Sequence, residues 1–270
     1  MAAVIGHPVR HSLSPLIHNA AFRALDLDWV FIAFDVPPGR APTAASAARD
    51  LGLAGLSVTM PHKADILPAL DRVTPTADAL GAVNTVISEG GGQLLGDNTD
   101  GAGFLDALRD DEGFDPAGRR CLVVGAGGAA RAVVLALADA GAADIGIVNR
   151  TPARAEAAAA LAPGVARATT VDAADGAELI VNATPQGMAG DGALAVPSTA
   201  LGRGQLVVDL VYHPAVTPLV AAARAQGANA TNGLGMLIHQ AAHAFRLWTG
   251  EDPPREVMSA AALTAMARPD

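Results

Sequence analysis

Lys63 is the only lysine among the chain's 18 lysines and arginines. A lysine ammonium can release a proton near neutral pH and take it back, whereas a guanidinium cannot. The lone lysine ends the segment Thr59-Met60-Pro61-His62-Lys63, just past an apolar run, at the end of a strand where open α/β sheets bind ligands. Asp100 closes the turn-rich segment Gly96-Asp97-Asn98-Thr99-Asp100-Gly101. Its ordinary role there would be to cap a helix. A carboxylate that met Lys63 in a cleft would also orient the ammonium and tune its pKa, giving a proton-transfer pair. Spacing alone does not bring the two together.

Two hydroxyls stand in His11-Ser12-Leu13-Ser14-Pro15. Ser14 reads as a helix N-cap with Pro15 in the first helical position. Ser12 has no such structural account. In an extended segment, residues two apart share a face. The pair is therefore expected to project together at a helix N-terminus, a place suited to a carboxylate.

Gly125, Ala126, Gly127, Gly128, Ala129 and Ala130 follow an apolar run and open a helical one. Small residues at this spacing let the backbone turn tightly and approach a pyrophosphate on the helix N-terminus. NAD-binding folds place an Asp or Glu about 20 residues further on, for the ribose hydroxyl. Here that place holds Asn149, Arg150 and Thr151, with Arg154 close behind. Cations in a helix's first turn oppose its dipole. A phosphate gripped by the guanidinium forks accounts for them better, so NADP is expected as cofactor. His239 and His243 are four apart but lack the glutamate of a His-Glu-x-x-His zinc motif, and the seven histidines form no metal constellation.

These residues need elements to hold them. Residues 2–5, 29–34, 53–58 and 83–87 read as strands, and 15–25 and 41–51 as helices. A helix is expected over 103–108 after the turn-rich segment. A second α/β unit begins at Arg120, with strands at 121–124, 144–148, 179–182 and 206–210. Its helices are 129–140, 152–161 and 214–226. Two further helices, 234–249 and 254–267, close the chain. Alternating strands and helices of this kind build mostly parallel sheets, with a domain boundary near Asp100.

Composition narrows the function. A hydrophobic share of 51% against 17% charged residues excludes a disordered chain. A net charge of −9 argues against nucleic-acid binding, which needs a basic face. One cysteine, Cys121, excludes a disulfide framework or a cysteine-based zinc site. The most apolar long stretch, 121–143, is broken by Arg131 and Asp139, so no membrane span is expected, and no signal-like leader is seen. The expected compartment is the cytoplasm.

The ordered motifs resemble those of the shikimate dehydrogenases from end to end. They read GHPVRHSLSPLIHNAAF at 6–22, LSVTMPHK at 56–63, GAVNT at 81–85 and GDNTDGAGF at 96–104. GAGGAARA at 125–132, NRTPAR at 149–154 and NATPQGM at 182–188 follow. The last are DLVYHPAVTPL at 209–219 and NGLGMLIHQAAHAFRLWTG at 232–250. The resemblance implies an NADP-dependent oxidoreductase interconverting shikimate and 3-dehydroshikimate in aromatic amino-acid biosynthesis. It implies a substrate domain of residues 1–100 plus 234–270 and a Rossmann-like NADP domain of residues 101–233. Carried over residue by residue, Lys63 and Asp100 would be the catalytic pair. Ser12 and Ser14 would hold the substrate carboxylate. Thr59, Asn84, Tyr212 and Gln240 would contact the carboxylate end or the ring hydroxyls. Gly125, Ala126, Gly127, Gly128 and Ala129 would take the phosphates, and Leu210 and Gly233 the nicotinamide. Asn149, Arg150, Thr151 and Arg154 would cradle the 2′-phosphate. The resemblance leaves room for a homodimer.

One departure is Ser57, where the family usually has asparagine; serine still hydrogen-bonds locally. Quinate-accepting relatives often carry threonine at the position of Ser14 and an acidic residue near Arg150, so Ser14 and Arg150 favour shikimate and NADP. The alternatives are an NAD-dependent quinate/shikimate dehydrogenase and a catalytically silent dinucleotide-binding regulator. The regulator would have no use for Lys63, Asp100, Ser12 and Ser14 together.

Overall fold

The computed structural model describes residues 1–188 and 192–267. The chain forms two compact units, one of residues 1–103 and from 238 onward, the other of residues 104–237. The first unit runs β1 (Ala2–Gly6), α1 (Ser14–Ala24), β2 (Phe31–Asp35), α2 (Ala41–Asp50), β3 (Gly55–Val58), β4 (Arg72–Val73), α3 (Pro75–Leu80), β5 (Thr85–Ser88) and β6 (Leu94–Asp97). Its sheet has the order β2-β1-β3-β5-β6-β4.

β1 is buried along its whole length, as a strand covered on both faces must be, and its residues are correspondingly apolar or small. Ala41, Ala45 and Ala48 share one face of α2 and are buried with Ile5, Leu56, Val58 and Val86. Methyl-sized side chains at this spacing let the helix lie close to the sheet.

One strand is reversed. β1 pairs in parallel with β2 and β3, while β5 is antiparallel to both β3 and β6. The register sets Ser57 of β3 opposite Thr85 of β5, and Thr85 opposite Asp97 of β6. The end of β3, the start of β5 and the end of β6 therefore meet at one edge of the sheet. Thr59 and Lys63 follow β3, Asn84 precedes β5 and Asp100 follows β6, so three segments distant in sequence converge there.

The chain leaves the first unit within α4 (Asp100–Asp106), a helix continued by a wider π turn at Ala107–Asp111. The second unit holds β7 (Arg120–Val124), α5 (Gly128–Asp139), β8 (Asp144–Val148), α6 (Pro152–Ala159), β9 (Ala166–Ala168), β10 (Leu179–Asn182), β11 (Leu206–Asp209), α7 (Pro218–Ala225) and β12 (Asn229–Asn232). Its sheet, β12-β11-β10-β7-β8-β9, is parallel throughout. The strand order reverses direction between β7 and β10, the place where doubly wound sheets bind nucleotides. The chain returns within α8 (Leu234–Thr249) and ends in α9 (Arg255–Met266), which packs on α1. The sequence places these junctions at 100/101 and 233/234, at the starts of α4 and α8.

The structure corrects four local expectations. Gly96 and Asp97 belong to β6 rather than to a turn, and the following helix begins at Asp100. The helix expected from residue 214 begins at Pro218, because Thr217 is extended and caps it, its Oγ1 accepting the Val220 N–H at 3.2 Å. Ser14 is not the cap of α1: Leu13 holds that place in a helical conformation, and Ser14 is the first helical residue. The stretch from Ser12 to Ser14 is therefore not extended. The short elements β4, α3, β9 and β12 have no counterpart in the sequence reading.

Candidate active site

The site in the first unit begins where β1 and β3 end. Thr59 N–H donates to Ile5 O and His7 N–H to Met60 O, each at 3.0 Å, which ties the loop after β1 to the loop after β3. Gly6 is needed at this crossing, since a β-carbon there would lie 2.5 Å from the Thr59 methyl. Past Thr59 the chain turns through His62, whose ring Nε2–H donates to Val36 O at 2.8 Å. The buried His62 ring fixes the turn that presents Lys63, and Lys63 O accepts the Val83 N–H at 2.8 Å.

Lys63 Nζ donates to Asp100 Oδ2 at 2.5 Å. Asn84 Nδ2 donates to Asp100 Oδ1 at 2.7 Å. Both carboxylate oxygens thus have a donor, in a side chain 8% exposed beside a lysine 19% exposed. The carboxylate makes no cap for α4; its contacts are to Lys63 and Asn84. Asn84 is itself held on all sides. Its Oδ1 accepts from the Thr99 N–H at 2.8 Å and from the Thr85 hydroxyl at 2.9 Å. Its Nδ2 also lies 3.0 Å from Thr99 Oγ1 and 3.5 Å from Gln240 Oε1. Gln240 is brought in by α8, whose backbone lies against α4 at Gly103. A β-carbon on Gly103 would fall 2.7 Å from Gln240 Cα.

Ser12 Oγ accepts the Ser14 N–H at 3.3 Å. Ser12, for which the sequence offers no structural role, therefore supports the start of α1, while Ser14 is buried. Thr59 is half-buried. Lys63, Asn84, Asp100 and Gln240 thus form one hydrogen-bonded cluster, while Ser12 lies on the loop after β1, Ser14 opens α1 and Thr59 lies on the loop after β3.

The second unit holds the remaining candidates. Gly125 follows β7 at φ +119°, a conformation that favours glycine, and a β-carbon there would sit 2.9 Å from Ala183 O. Gly127 caps α5 without any side-chain bond, and a β-carbon on it would meet nothing within 4 Å. Open space at a helix N-terminus whose first turn has no acidic residue suits a phosphate. Asn149 Nδ2 donates to Thr151 O at 3.0 Å and shapes the turn into α6. Arg150 and Arg154 are exposed and make no ion pair among the described residues. The turn after β8 and the first turn of α6 hold no carboxylate. A dinucleotide carrying a 2′-phosphate fits this set: Gly125 to Ala129 for the pyrophosphate, and Arg150, Thr151 and Arg154 for the extra phosphate.

At the ends of β11 and β12, Leu210 and Gly233 touch so closely that a β-carbon on Gly233 would overlap Leu210 O. Burial raises the Tyr212 hydroxyl pKa above its ordinary range. The loop carrying Tyr212 is anchored by Asp209. Its carboxylate accepts from the Thr217 hydroxyl at 2.6 Å, Asn182 Nδ2 at 2.8 Å and the Val211 N–H at 3.2 Å. Burial pushes the Asp209 pKa up, partly offset by those donors. Sequence reasoning does not single out Asp209, Thr85 or Thr99. Asp209 ends β11 and Thr85 opens β5, while Thr99 lies two residues past β6.

Three family models match the chain. "Shikimate dehydrogenase substrate binding domain" covers residues 4–86, "Shikimate / quinate 5-dehydrogenase" residues 110–186, and "Shikimate 5'-dehydrogenase C-terminal domain" residues 233–263. A shikimate dehydrogenase (NADP(+)) of Geobacter sp. (strain M21) is 46% identical over 280 residues, spanning 100% of this chain and 96% of its own. A shikimate 5-dehydrogenase of Thermus thermophilus, solved with NADP(H) and shikimate, is 42% identical with a TM-score of 0.92 and 98% of each chain covered. A quinate dehydrogenase of Corynebacterium glutamicum, solved with NAD, is 33% identical with a TM-score of 0.89, covering 97% of this chain and 98% of its own. With these matches over nearly its whole length, the chain belongs to the shikimate dehydrogenase family.

Proposed function

We propose that this chain catalyses the NADP-dependent interconversion of 3-dehydroshikimate and shikimate. The observation that carries the reading is the Lys63–Asp100 pair, held at 2.5 Å with the second carboxylate oxygen taken by Asn84.

Reducing a ketone to an alcohol takes a hydride and a proton. When bound, NADPH supplies the hydride. Lys63 as ammonium donates the proton to the oxygen that gains charge, and takes it back in the reverse direction. Asp100 keeps one Nζ–H engaged, so the remaining ammonium hydrogens are aimed by a fixed partner rather than by solvent. Asn84 holds Asp100 in turn. Ser12 spends an oxygen lone pair on the Ser14 N–H, and its hydroxyl hydrogen remains available to a substrate carboxylate. Such local donors must offset the overall charge of −9, which repels an anionic substrate at long range. Arg150, Thr151 and Arg154 hold the 2′-phosphate and set the preference for NADP over NAD.

The reading extends to the cytoplasm as compartment. No helix among the described residues is long and apolar enough to cross a membrane, and the single cysteine is buried. It extends also to a homodimer, supported by the edge strand β2, where Phe34 is 41% exposed. Light scattering at micromolar concentration gives the mass.

The direct test of the activity is reduced-cofactor absorbance with shikimate and NADP, run beside quinate with NAD. Turnover with the first pair well above the second is expected. A preference for quinate and NAD, or turnover with neither pair, overturns the assignment.

A further inference from the structure

Lys63 and Asp100 are far apart in sequence, and their side chains touch only if the backbones that carry them keep a fixed separation. Tracing the backbone bonds around the pair leads to one buried side chain. Lys63 O accepts the Val83 N–H at 2.8 Å. The preceding carbonyl, Ala82 O, accepts from Asn98 Nδ2 at 3.0 Å. Asn98 Oδ1 accepts the Asp100 N–H at 3.1 Å. The Asn98 amide therefore holds, with its two ends, the loop before β5 that anchors Lys63 and the residue that supplies the carboxylate. Asn98 is 5% exposed, and Ala82 and Val83 are buried. Its own backbone is fixed as well, since the Asn98 N–H donates to Asp97 Oδ1 at 2.8 Å. That carboxylate oxygen also accepts from the Thr74 hydroxyl at 2.6 Å.

From this chain of contacts we infer that Asn98 is a positioning residue for proton transfer: its amide sets the distance between the backbones of Lys63 and Asp100. The inference rests on the catalytic reading of that pair. Asn98 touches neither side chain of the pair, and the two ends of its amide do different work. The oxygen is an acceptor for the Asp100 N–H, and the NH2 is a donor to Ala82 O. Aspartate in its place keeps the acceptor and loses the donor, and alanine loses both. Without the donor, Ala82 O is left buried without its partner and the Lys63 anchor drifts. Misplacement of about 1 Å in a catalytic group can cost about a hundredfold in rate.

Because Lys63 is the only lysine, protein grown with lysine labelled at the ε-carbon gives a single resonance that reports the Lys63 environment without turnover. The experiment compares that resonance, its titration, and kcat and KM for shikimate in the wild type, Asn98→Asp and Asn98→Ala. Asp100→Asn supplies the position of a lysine without its carboxylate. Asn98→Ala should shift the resonance and its titration toward the Asp100→Asn values. Its kcat should fall by roughly ten- to a hundredfold, with KM changed less than about threefold. Asn98→Asp should lie between the two and carries the test if the alanine variant does not fold. A lowered melting temperature with wild-type resonance, titration and kcat in the variants would make Asn98 merely structural and overturn the inference. If the resonance moves while kcat holds, the clamp on Lys63 stands and the catalytic reading of Lys63 fails instead.

Discussion

Ser12 Oγ accepts the backbone N–H of Ser14 at 3.3 Å. The contact orients the Ser12 hydroxyl and leaves its hydrogen to donate elsewhere. If it donates to the substrate carboxylate, Ser12→Ala should raise KM for shikimate about ten- to a hundredfold, the range for a hydrogen bond to a charged group. The fall in kcat should be severalfold at most. A modest loss of melting temperature should accompany it, since the Ser14 N–H loses its acceptor. Steady-state kinetics separate the two effects, and a collapsed kcat with unchanged KM would assign the hydroxyl another role.

Arg150 and Arg154 have no ion-pair partner among the described residues, and the turn after β8 and the first turn of α6 hold no carboxylate. Arg150→Ala should raise KM for NADP by about ten- to a hundredfold, for the loss of a charged hydrogen bond of about 1.5–3 kcal/mol. KM for NAD should be nearly unchanged. Equal losses with both cofactors would count against a 2′-phosphate contact.

His18 lies buried among aromatic rings, its ring 4.4 Å from that of Phe31 and 5.2 Å from Trp248. Neither ring nitrogen has a hydrogen-bond partner among the described residues. Burial lowers its pKa from 6.5 to about 3. The unfolded chain thus binds a proton near pH 6.5 that the folded chain refuses until about pH 3. The neutral ring's contribution is present above pH 6.5 and is lost as pH falls through that window, roughly 1.4 kcal/mol per pH unit. Urea melts of the wild type and His18→Phe should therefore diverge in slope. Between about pH 7 and 4.5 the variant should lose about 3 kcal/mol less. Parallel curves would mean that the ring reaches solvent or a partner in solution.

Much of this molecule can be read from its sequence because its central strands are nearly continuous apolar runs. The strand expected at 179–182 is β10 as found, and that at 144–148 is β8. Reading fails at the sheet edges and at short pieces. β12 is Asn-Ala-Thr-Asn and β9 is Ala-Arg-Ala, too short and too polar to show a period, and both form because a neighbouring strand supplies the ladder. In the site, Lys63 stands out by its uniqueness and Asp100 by its turn. Asn98, Thr85 and Thr99 do not stand out, because they act through hydrogen bonds to backbone and side chains set by the reversed strand β5. Nothing in the residues of β5 marks that reversal. Ser12 and Ser14 are visible as a pair, but their division of labour depends on Leu13 being helical rather than extended.

The Lys63–Asp100 pair is tested most directly by Lys63→Arg. Arginine keeps the positive charge and loses the ability to exchange a proton near neutral pH. General acid–base catalysis contributes about 10²–10⁴-fold. If Lys63 transfers the proton, kcat for shikimate oxidation should fall by about that factor in Lys63→Arg and in Lys63→Ala alike. NADP binding, measured by calorimetry, should persist in both, because the glycine loop belongs to the other unit. A Lys63→Arg enzyme within a few-fold of the wild-type kcat would contradict proton transfer by Lys63 and leave it only the attraction of an anion.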